Sequence, residues 1–313
     1  MMRDLHELPK FRDGWSYLYV EHAKIDQDDK AIAIHDPEGK VPVPCAALAL
    51  LMLGPGTSIT HAAINVLADC GCLVAWCGEQ GTRFYAQGIG ESRFSDKLLR
   101  QAMLCSDPDL RLQVVTRMYR KRFAEGLPAE ITLQQIRGKE GIRVRETYAR
   151  MSRETGVEWN GRNYDRSNWN SSDPVNRALS AANACLYGVC HAAIVSAGYS
   201  TGLGFIHTGK MLSFVYDIAD LYKTETTIPA AFHTVAINGT TGVERQVRQA
   251  CRDVFEETRL LARIVDDIED VLAVSGTLVP MVDGQDFDGD MALPGGLWDP
   301  ETGEVIGGVN HAE

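Results

Sequence analysis

Short runs of alternating hydrophobic and polar residues fill much of the first ninety positions of the chain, and this pattern predicts β-strands. The segment WSYLYVEHAKIDQDDKAIAIHD, residues 15–36, alternates in this way, is rich in aromatic and β-branched residues, and contains a turn at 27–30. The runs CLVAWC and TRFYAQG are two further strand candidates. THAAINVLADCG has the spacing of a short helix that begins after the N-cap Thr60 and stops at Gly71. We therefore predict a small β-rich domain over residues 1–90.

Beyond residue 91 the hydrophobic positions recur every three to four residues, which is the period of an amphipathic helix. One helix is predicted to open at Pro108 and to stop at Gly126, and another to span TLQQIRGKEGIRVRETYARMSRETG. VNRALSAANACLYGVCHAAIVSAG is apolar on most faces and is predicted to be a buried central helix. Residues 243–273 predict one or two long amphipathic helices. The expected fold class is α+β, with a larger all-helical C-terminal domain, residues 91–275, after the β-sheet domain.

The last segment, residues 276–313, is dominated by Gly, Asp and Pro, and we predict a flexible, acidic, disordered tail there. The longest apolar run of the chain, CAALALLML, has nine residues, about half of a membrane span. The first fifteen residues mix both charge signs and contain no apolar region of a secretory signal. We therefore expect a cytoplasmic protein with no membrane association.

The net charge of −11 is concentrated in the tail. Residues 263–313 contain one basic and twelve acidic residues, whereas residues 1–262 contain thirty of each sign. Within the neutral part, residues 97–166 contain fifteen basic and nine acidic residues. This basic middle is either an electrostatic footprint for phosphates or a solvated helix surface, and charge counts alone favour the second.

Eight cysteines raise the possibility of a metal site or of disulfides. The tightest group is CGCLVAWC, with Cys70, Cys72 and Cys77. Zinc modules usually supply two separated cysteine pairs, and no second pair is present in the sequence. The run also has the character of a buried strand, in which cysteine behaves as a small hydrophobic residue. Reduced thiols in a core are therefore the favoured interpretation.

The stretch GFIHTGK, residues 204–210, has the glycine and lysine spacing of a phosphate-binding P-loop. Met211 stands where a P-loop has the Ser or Thr that binds Mg²⁺, and the preceding SAGYSTGL is a loop sequence rather than a strand. A P-loop is therefore rejected. His207 inside the stretch, and Asp217 and Asp220 after it, are the better candidates for chemistry.

The spacing of LSFVYDIADLYK is helical, which places Asp217 and Asp220 on one face. Two carboxylates on one face are an arrangement that suits a divalent ion, although such pairs are more often simply solvated. Glu140 lies among basic residues in IRGKEGIRVRETY. It is either a charge-balanced surface acid or a metal ligand beside phosphate-binding arginines.

Several long motifs, in order from about residue 15 to 273, together resemble one known family. They are LGPGTSITHAA, GTRFYAQG, IRGKEGIRVRETY, WNGRNYDRSNW, NACLYGV, GFIHTGKMLSFVYDIADLYK and VRQACRD. The family is the CRISPR-associated spacer-acquisition integrase, the catalytic subunit of the adaptation complex, in its type I-E form. The acidic tail is not covered by the resemblance.

The resemblance implies an endonuclease and integrase that uses Mg²⁺ or Mn²⁺ held by Glu140, His207 and Asp220, with Asp217 as a further acid beside the metal. It implies 3′-OH transesterification, in which double-stranded prespacer DNA with single-stranded 3′ ends is joined to CRISPR repeat DNA. It also implies a homodimer and a small ferredoxin-like companion subunit. A branched-DNA nuclease that does not integrate and a non-catalytic DNA-binding scaffold are the alternatives.

The resemblance further implies a set of DNA-contacting positions, in which basic side chains neutralise phosphates and aromatic ones stack on bases. They are Arg83, Arg137, Tyr164, Trp169, Tyr187, Lys210 and Arg248. Tyr187 lies in so apolar a segment that a purely structural role is equally favoured. Two positions depart from the family pattern: His22 stands where relatives place a tyrosine at the duplex end, and Ser58 stands where a basic residue is expected.

Overall fold

The computed structural model describes most of the chain between residues 17 and 305. The described residues are 17–28, 31–45, 48, 50–70, 72–79, 84–88, 95–123, 126–128, 131–162, 173–239, 241–274, 297–299 and 303–305. The chain divides into two compact units, one formed by Met1–Lys97 with Leu278–Glu313 and the other by Leu98–Thr277.

The N-terminal segment of the first unit contains two four-stranded sheets and one short helix among the described residues. One sheet has the order β4-β3-β2-β6, and the other has the order β1-β5-β7-β8. The strands are β1 Tyr17–Val20, β2 Lys24–Asp28, β3 Ala31–Asp36, β4 Gly39–Pro44, β5 Leu50–Leu53, β6 Ser58–Ile59, β7 Leu73–Cys77 and β8 Phe84–Gln87. β1, β5 and β7 are parallel, and β8 is antiparallel to β7. The predicted β-rich N-terminal region is confirmed.

The short helix α1, His61–Asp69, begins where the sequence predicts it. The Thr60 side chain accepts a hydrogen bond from the backbone of Ala63, which is the usual N-cap contact. Buried apolar residues of α1 and of the strands, among them Ile25, Leu51 and Leu67, form one core. This burial provides most of the stabilising free energy of the unit, because such side chains each contribute about 1.5–3 kcal/mol.

The cysteines of the first unit are part of that core. Cys70, Cys72 and Cys77 are buried, and the Cys77 thiol donates to the backbone oxygen of Leu53. All eight cysteines of the chain are free thiols. Among the described residues, no group of three His, Cys, Asp or Glu side chains is arranged to hold a metal ion. Cys70, Cys72 and Cys77 are thus core side chains, as the strand-like pattern of their run predicts.

The second unit is helical, and its helices follow one another along the chain. They are α2 Asp96–Ser106, α3 Pro108–Lys121, α4 Leu133–Thr155, α5 Pro174–Ser196, α6 Ser213–Ala219, α7 Thr227–Asn238, α8 Val243–Glu257 and α9 Leu260–Leu272. α3 begins after the N-cap Asp107 but ends at Lys121 rather than near Gly126. α8 and α9 are separate because Arg259, between them, has a left-handed backbone conformation with φ of 48°.

α5 is the central helix of this unit, as its composition predicts. It packs against α6, α7, α8 and α9, and its buried face is made largely of small residues such as Ala182, Cys190 and Ala193. Among the described residues, α5 is also the one helix that is long and apolar enough to cross a membrane. However, 56% of its most apolar stretch is buried inside the protein. Such burial is the pattern of a core helix.

Within the predicted tail, two short strands are described. β9, Leu297–Asp299, pairs antiparallel with β10, Gly303–Val305. The composition of the tail did not predict this pairing.

Candidate functional site

Glu140 lies on α4, and two arginines hold its carboxylate. Arg143, one turn further along the helix, donates from Nε to Oε2 at 2.8 Å and from Nη2 to Oε1 at 2.9 Å. Arg122, which follows the last residue of α3, donates from Nη1 to Oε1 at 3.1 Å. These three N–H groups fill three of the roughly four acceptor positions of a carboxylate. The Glu140 side chain, only 12% exposed, is therefore fixed by charge-assisted hydrogen bonds.

Asp220 follows α6 and has two cationic neighbours. Lys223 Nζ lies 2.6 Å from Asp220 Oδ1, and Arg122 Nη2 lies 4.0 Å from Asp220 Oδ2. Burial lowers the pKa of Lys223, but the Asp220 carboxylate and the Tyr187 hydroxyl more than offset this effect, so that the pKa is above its usual value. Lys223 is therefore charged. Arg122 therefore lies between Glu140 and Asp220, two carboxylates from distant parts of the chain.

His207 is held by Asp217, which is fully buried. The Asp217 carboxylate accepts hydrogen bonds from the backbone N–H groups of Phe205 at 2.6 Å, Ile206 at 3.0 Å and His207 at 2.8 Å. His207 Nδ1 lies 2.7 Å from Asp217 Oδ1. Burial raises the pKa of Asp217, and the backbone amides of His207 and Phe205 oppose part of this rise. In the tautomer that donates Nδ1–H to Asp217, His207 Nε2 carries the lone pair and can bind a cation.

The loop that carries His207 is fixed by a buried side chain of α2 and a half-buried side chain of α3. Gln101, which is fully buried, donates from Nε2 to the backbone oxygens of Ser200 at 2.9 Å and Leu203 at 3.0 Å. Its Oε1 accepts from the Ser200 N–H at 2.8 Å. Arg111 donates from Nε and Nη2 to the backbone oxygen of Phe205, at 2.9 and 2.7 Å. The loop backbone is therefore anchored immediately before His207.

Aromatic side chains connect His207 to the two carboxylates. The His207 ring packs edge-on against Tyr216 with centroids 5.9 Å apart, and Tyr216 packs in the same way against Tyr187 at 5.1 Å. Lys223 Nζ lies 5.0 Å from the Tyr187 ring centroid, and Lys210 Nζ lies 6.0 Å from that of Tyr216. A chain of packed side chains, Tyr216, Tyr187 and Lys223, thus runs from His207 to Asp220.

The donor set of the predicted ligands fits a divalent ion in its chemistry. Two carboxylates and one imidazole are ligands of Mg²⁺ and Mn²⁺, and a carboxylate on the second ring nitrogen is the common support of a metal-binding histidine. The carboxylates, however, are paired with Arg122, Arg143 and Lys223, and the described residues include no trio of ligands in coordinating positions. An ion can enter only if these carboxylates change partners.

Comparison with known proteins identifies the family. The family model described as CRISPR associated protein Cas1 matches residues 118–241. The chain is 56% identical over 310 residues to CRISPR-associated endonuclease Cas1 2 of Thermus thermophilus, a match that covers 99% of this chain and 94% of that protein. The chain belongs to the Cas1 family. The resemblance inferred from the motifs is thereby confirmed.

Further relatives support the same assignment. CRISPR-associated endonuclease Cas1 of Escherichia coli K12 is 45% identical over 283 residues, which is 90% of this chain and 92% of that protein. The solved structure described as a TtCas1-DNA complex superposes with a TM-score of 0.75 at 58% identity, over 85% of this chain and 99% of that one. The Cas1 fold, an N-terminal β-sheet region followed by a helical part, is thus the fold of this chain.

Four of the positions expected to contact DNA in this family lie among the described residues. Arg137 on α4 and Lys210 in the His207 loop are exposed, so both charges face solvent. Tyr187 and Arg248, on α5 and α8, are half-buried. The other three expected contacts lie outside the described residues: Arg83, Tyr164 and Trp169.

The two positions that depart from the family pattern lie next to each other in the first unit. His22 is exposed, has a left-handed backbone with φ of 53°, and donates its N–H to the backbone oxygen of Pro55 at 3.0 Å. Ser58 is exposed at the start of β6 and donates its N–H to the backbone of Ala23 at 3.0 Å. Both side chains are accessible at the surface.

Sequence reasoning missed the cations that organise the site. Arg143 and Lys223 lie three residues after Glu140 and Asp220, and this spacing on a helix or turn is a signal that could have paired them. Arg122 has no such signal, because it is distant in sequence from both of its acidic neighbours.

Proposed function

We propose that this protein is a divalent-metal-dependent DNA endonuclease and integrase that inserts prespacer DNA into a CRISPR array. The observation that carries this proposal is the cluster of Glu140, Asp220 and His207, in which Asp217 orients the imidazole. It is supported by the relatives, whose names describe Cas1 endonucleases and a Cas1-DNA complex. Glu140, His207 and Asp220 would hold Mg²⁺ or Mn²⁺, which would polarise a phosphoryl oxygen and stabilise the charge that develops on it.

The reaction proposed is a transesterification. The 3′-hydroxyl of the prespacer attacks a phosphodiester at the edge of the repeat, a new phosphorus–oxygen bond forms, and the 3′-oxygen of the repeat strand leaves and takes up a proton. The number of phosphodiester bonds is unchanged, so no nucleotide cofactor is required. This is consistent with the rejection of a P-loop at GFIHTGK.

The residues around the cluster have separate parts in this proposal. Asp217 holds the His207 ring through Nδ1 and would leave Nε2 for the ion. Lys210 and Arg137, both exposed cations, bind phosphates along the DNA, and Tyr187 packs beside the reacting strand. Arg248, together with Arg83, Tyr164 and Trp169 outside the described residues, completes the expected DNA contacts.

The proposed partners follow from the same family assignment. They are double-stranded DNA with single-stranded 3′ ends, CRISPR repeat DNA, a second copy of this chain and a small ferredoxin-like companion subunit. We also propose a cytoplasmic location, since the substrate is cellular DNA and the one apolar helix of the described residues, α5, is packed in the core.

An integration assay tests the proposal. The protein is incubated with a 3′-OH prespacer, a supercoiled repeat plasmid, the companion subunit and Mg²⁺ or Mn²⁺, and joined products are counted by sequencing. We expect joining that EDTA abolishes and that Asp220→Ala removes, with Asp253→Ala as the control because Asp253 is exposed on α8. Nicking without joining would indicate the nuclease alternative, and full activity of Asp220→Ala would reject a catalytic role for the cluster.

A further inference from the structure

Arg122 has an unusual environment for a charged side chain. Only 4% of it is exposed, and its Nε and Nη2 atoms are buried without a hydrogen-bond partner. Its Nη1 donates to Glu140, while Nη2 points toward Asp220 Oδ2 at 4.0 Å. A buried guanidinium that donates through one nitrogen and leaves the N–H groups of the other two without acceptors is energetically costly. The guanidinium also lies 4.9 Å from the centroid of the Tyr119 ring, but this contact does not account for its unpaired N–H donors or for its position between the two carboxylates.

The two acids do not depend on Arg122 for a partner. Arg143 holds Glu140 through two hydrogen bonds and is itself anchored by donating from Nη1 to Thr224 Oγ1 at 2.8 Å. Lys223 holds Asp220 at 2.6 Å. The cluster of Glu140, Asp220, Arg122, Arg143 and Lys223 therefore has two negative and three positive charges. Arg122 supplies the positive charge in excess of neutrality.

We propose that Arg122 is a built-in counter-cation, which stabilises the metal-free cluster and weakens the binding of a divalent ion to it. This inference rests on the proposed metal site. When no ion is bound, the guanidinium relieves the repulsion between Glu140 and Asp220 and connects the end of α3 to α4 and to the end of α6. When an ion binds, the same charge repels it and occupies acceptor positions that the ion needs.

The size of the effect follows from Coulomb's law. Even at the dielectric constant of water, a unit charge about 6 Å from a divalent ion changes its affinity roughly tenfold, and the effect grows in a partly buried site. Removal of the Arg122 charge is therefore expected to tighten Mn²⁺ binding by about tenfold or more. It is also expected to lower the melting temperature of the metal-free protein, and saturating Mn²⁺ is expected to restore most of that loss.

Mn²⁺ affinity, measured by isothermal titration calorimetry on the full chain, tests the proposal. Arg122→Gln removes the charge, and Arg122→Met is the second neutral variant, because an apolar side chain of similar length leaves no unsatisfied donors and preserves packing. Arg122→Lys retains the charge and should bind Mn²⁺ within about threefold of the wild type, a margin well below the Coulomb estimate. Arg120→Gln, an exposed cation in the last turn of α3, is the control for loss of charge at the surface.

Three outcomes distinguish the inference from the proposed function. Tighter binding by a neutral variant, with Arg122→Lys and Arg120→Gln near the wild-type affinity, supports the counter-cation role. Equal or weaker Mn²⁺ binding by both neutral variants overturns the counter-cation role of Arg122 but leaves the proposed metal site intact. Failure of every variant and of the wild type to bind Mn²⁺ overturns the proposed metal site and this inference with it.

Discussion

Asp217 offers the sharpest test of how the His207 loop is held. Its two carboxylate oxygens make four contacts, two at Oδ2 with the N–H groups of Phe205 and Ile206 and two at Oδ1 with the N–H and ring of His207. In Asp217→Asn one oxygen becomes an NH₂ group. If the NH₂ group replaces Oδ2, it faces two backbone N–H donors and two contacts are lost. If it replaces Oδ1, it faces the His207 N–H, so that contact is lost, whereas the ring contact survives in the tautomer whose Nδ1 accepts.

The expected cost can be estimated from these contacts. Hydrogen bonds to a charged group contribute about 1.5–3 kcal/mol each, so the loss of one or two costs about 1.5–6 kcal/mol before relaxation. Burial raises the pKa of Asp217, which means that the charged carboxylate is itself disfavoured by its surroundings, and a neutral amide escapes that penalty. We therefore expect a net decrease of about 2–3 kcal/mol in the free energy of unfolding.

Urea denaturation, together with amide hydrogen exchange of the loop, measures this effect. Asp253→Asn is the matched control, because Asp253 is exposed and its ion pair with Arg252 is a surface one, expected to contribute less than about 1 kcal/mol. Exchange at Phe205, Ile206 and His207 should accelerate in Asp217→Asn and remain unchanged in the control. The reasoning would be refuted by a loss below about 1 kcal/mol with unchanged exchange at these three amides.

Three further predictions follow from the structure. Gln101→Leu should cost about 2–4 kcal/mol of unfolding free energy and accelerate amide exchange near Ser200, because three buried hydrogen bonds to the loop are lost; unchanged exchange would contradict this. Burial lowers the pKa of His191 to about 4, so the folded protein holds this imidazole in its neutral form. The free energy of unfolding should therefore decrease as the pH drops from about 6.5 to 4, by about 2 kcal/mol after a discount for the partial exposure of the ring. His191→Gln should flatten that part of the urea-derived stability profile and the exposed His233→Gln should not. Arg137→Gln should weaken DNA binding about equally for all sequences. It should also reduce the slope of log affinity against log salt concentration by about 1 between roughly 50 and 200 mM salt. A wild-type affinity that does not change with salt would contradict a phosphate contact.

Local signals predicted the fold well wherever the chain itself contains the cause of an element. Thr60 and Asp107 cap their helices through contacts with residues two or three positions away, and such contacts are visible in the sequence. The break between α8 and α9 depends on one left-handed residue, Arg259, and the amphipathic pattern continues across it. The sequence therefore left open whether one helix or two is present there.

The sequence points to candidate ligands of the site but not to the cations that surround them. The motifs of the family point to Glu140, His207 and Asp220, since the resemblance covers those residues directly. The contact of Arg122 with two acids is created by the packing of α3 against α4 and by the turn after α6, and no periodicity encodes it. In the same way, Gln101 in α2 gave no sign of holding a loop about a hundred residues away.

The candidate ligands are held by two different physical means. His207 belongs to a loop whose backbone is bonded to Gln101, Arg111 and Asp217, three side chains that are themselves packed in the helical core or close to it. The imidazole is therefore positioned before any ion arrives, and moving it would break several buried hydrogen bonds.

The described partners of the Glu140 and Asp220 carboxylates, by contrast, are the long cationic side chains of Arg122, Arg143 and Lys223. Each of these side chains has several rotatable bonds, whereas Asp217 is bonded to three backbone N–H groups. An entering cation would meet one fixed nitrogen and two carboxylates that can change partners. The loop thus sets where an ion would bind, while the cations set how strongly it competes for the carboxylates. This division explains why a change at Asp217 should alter the position of the imidazole and a change at Arg122 should alter affinity.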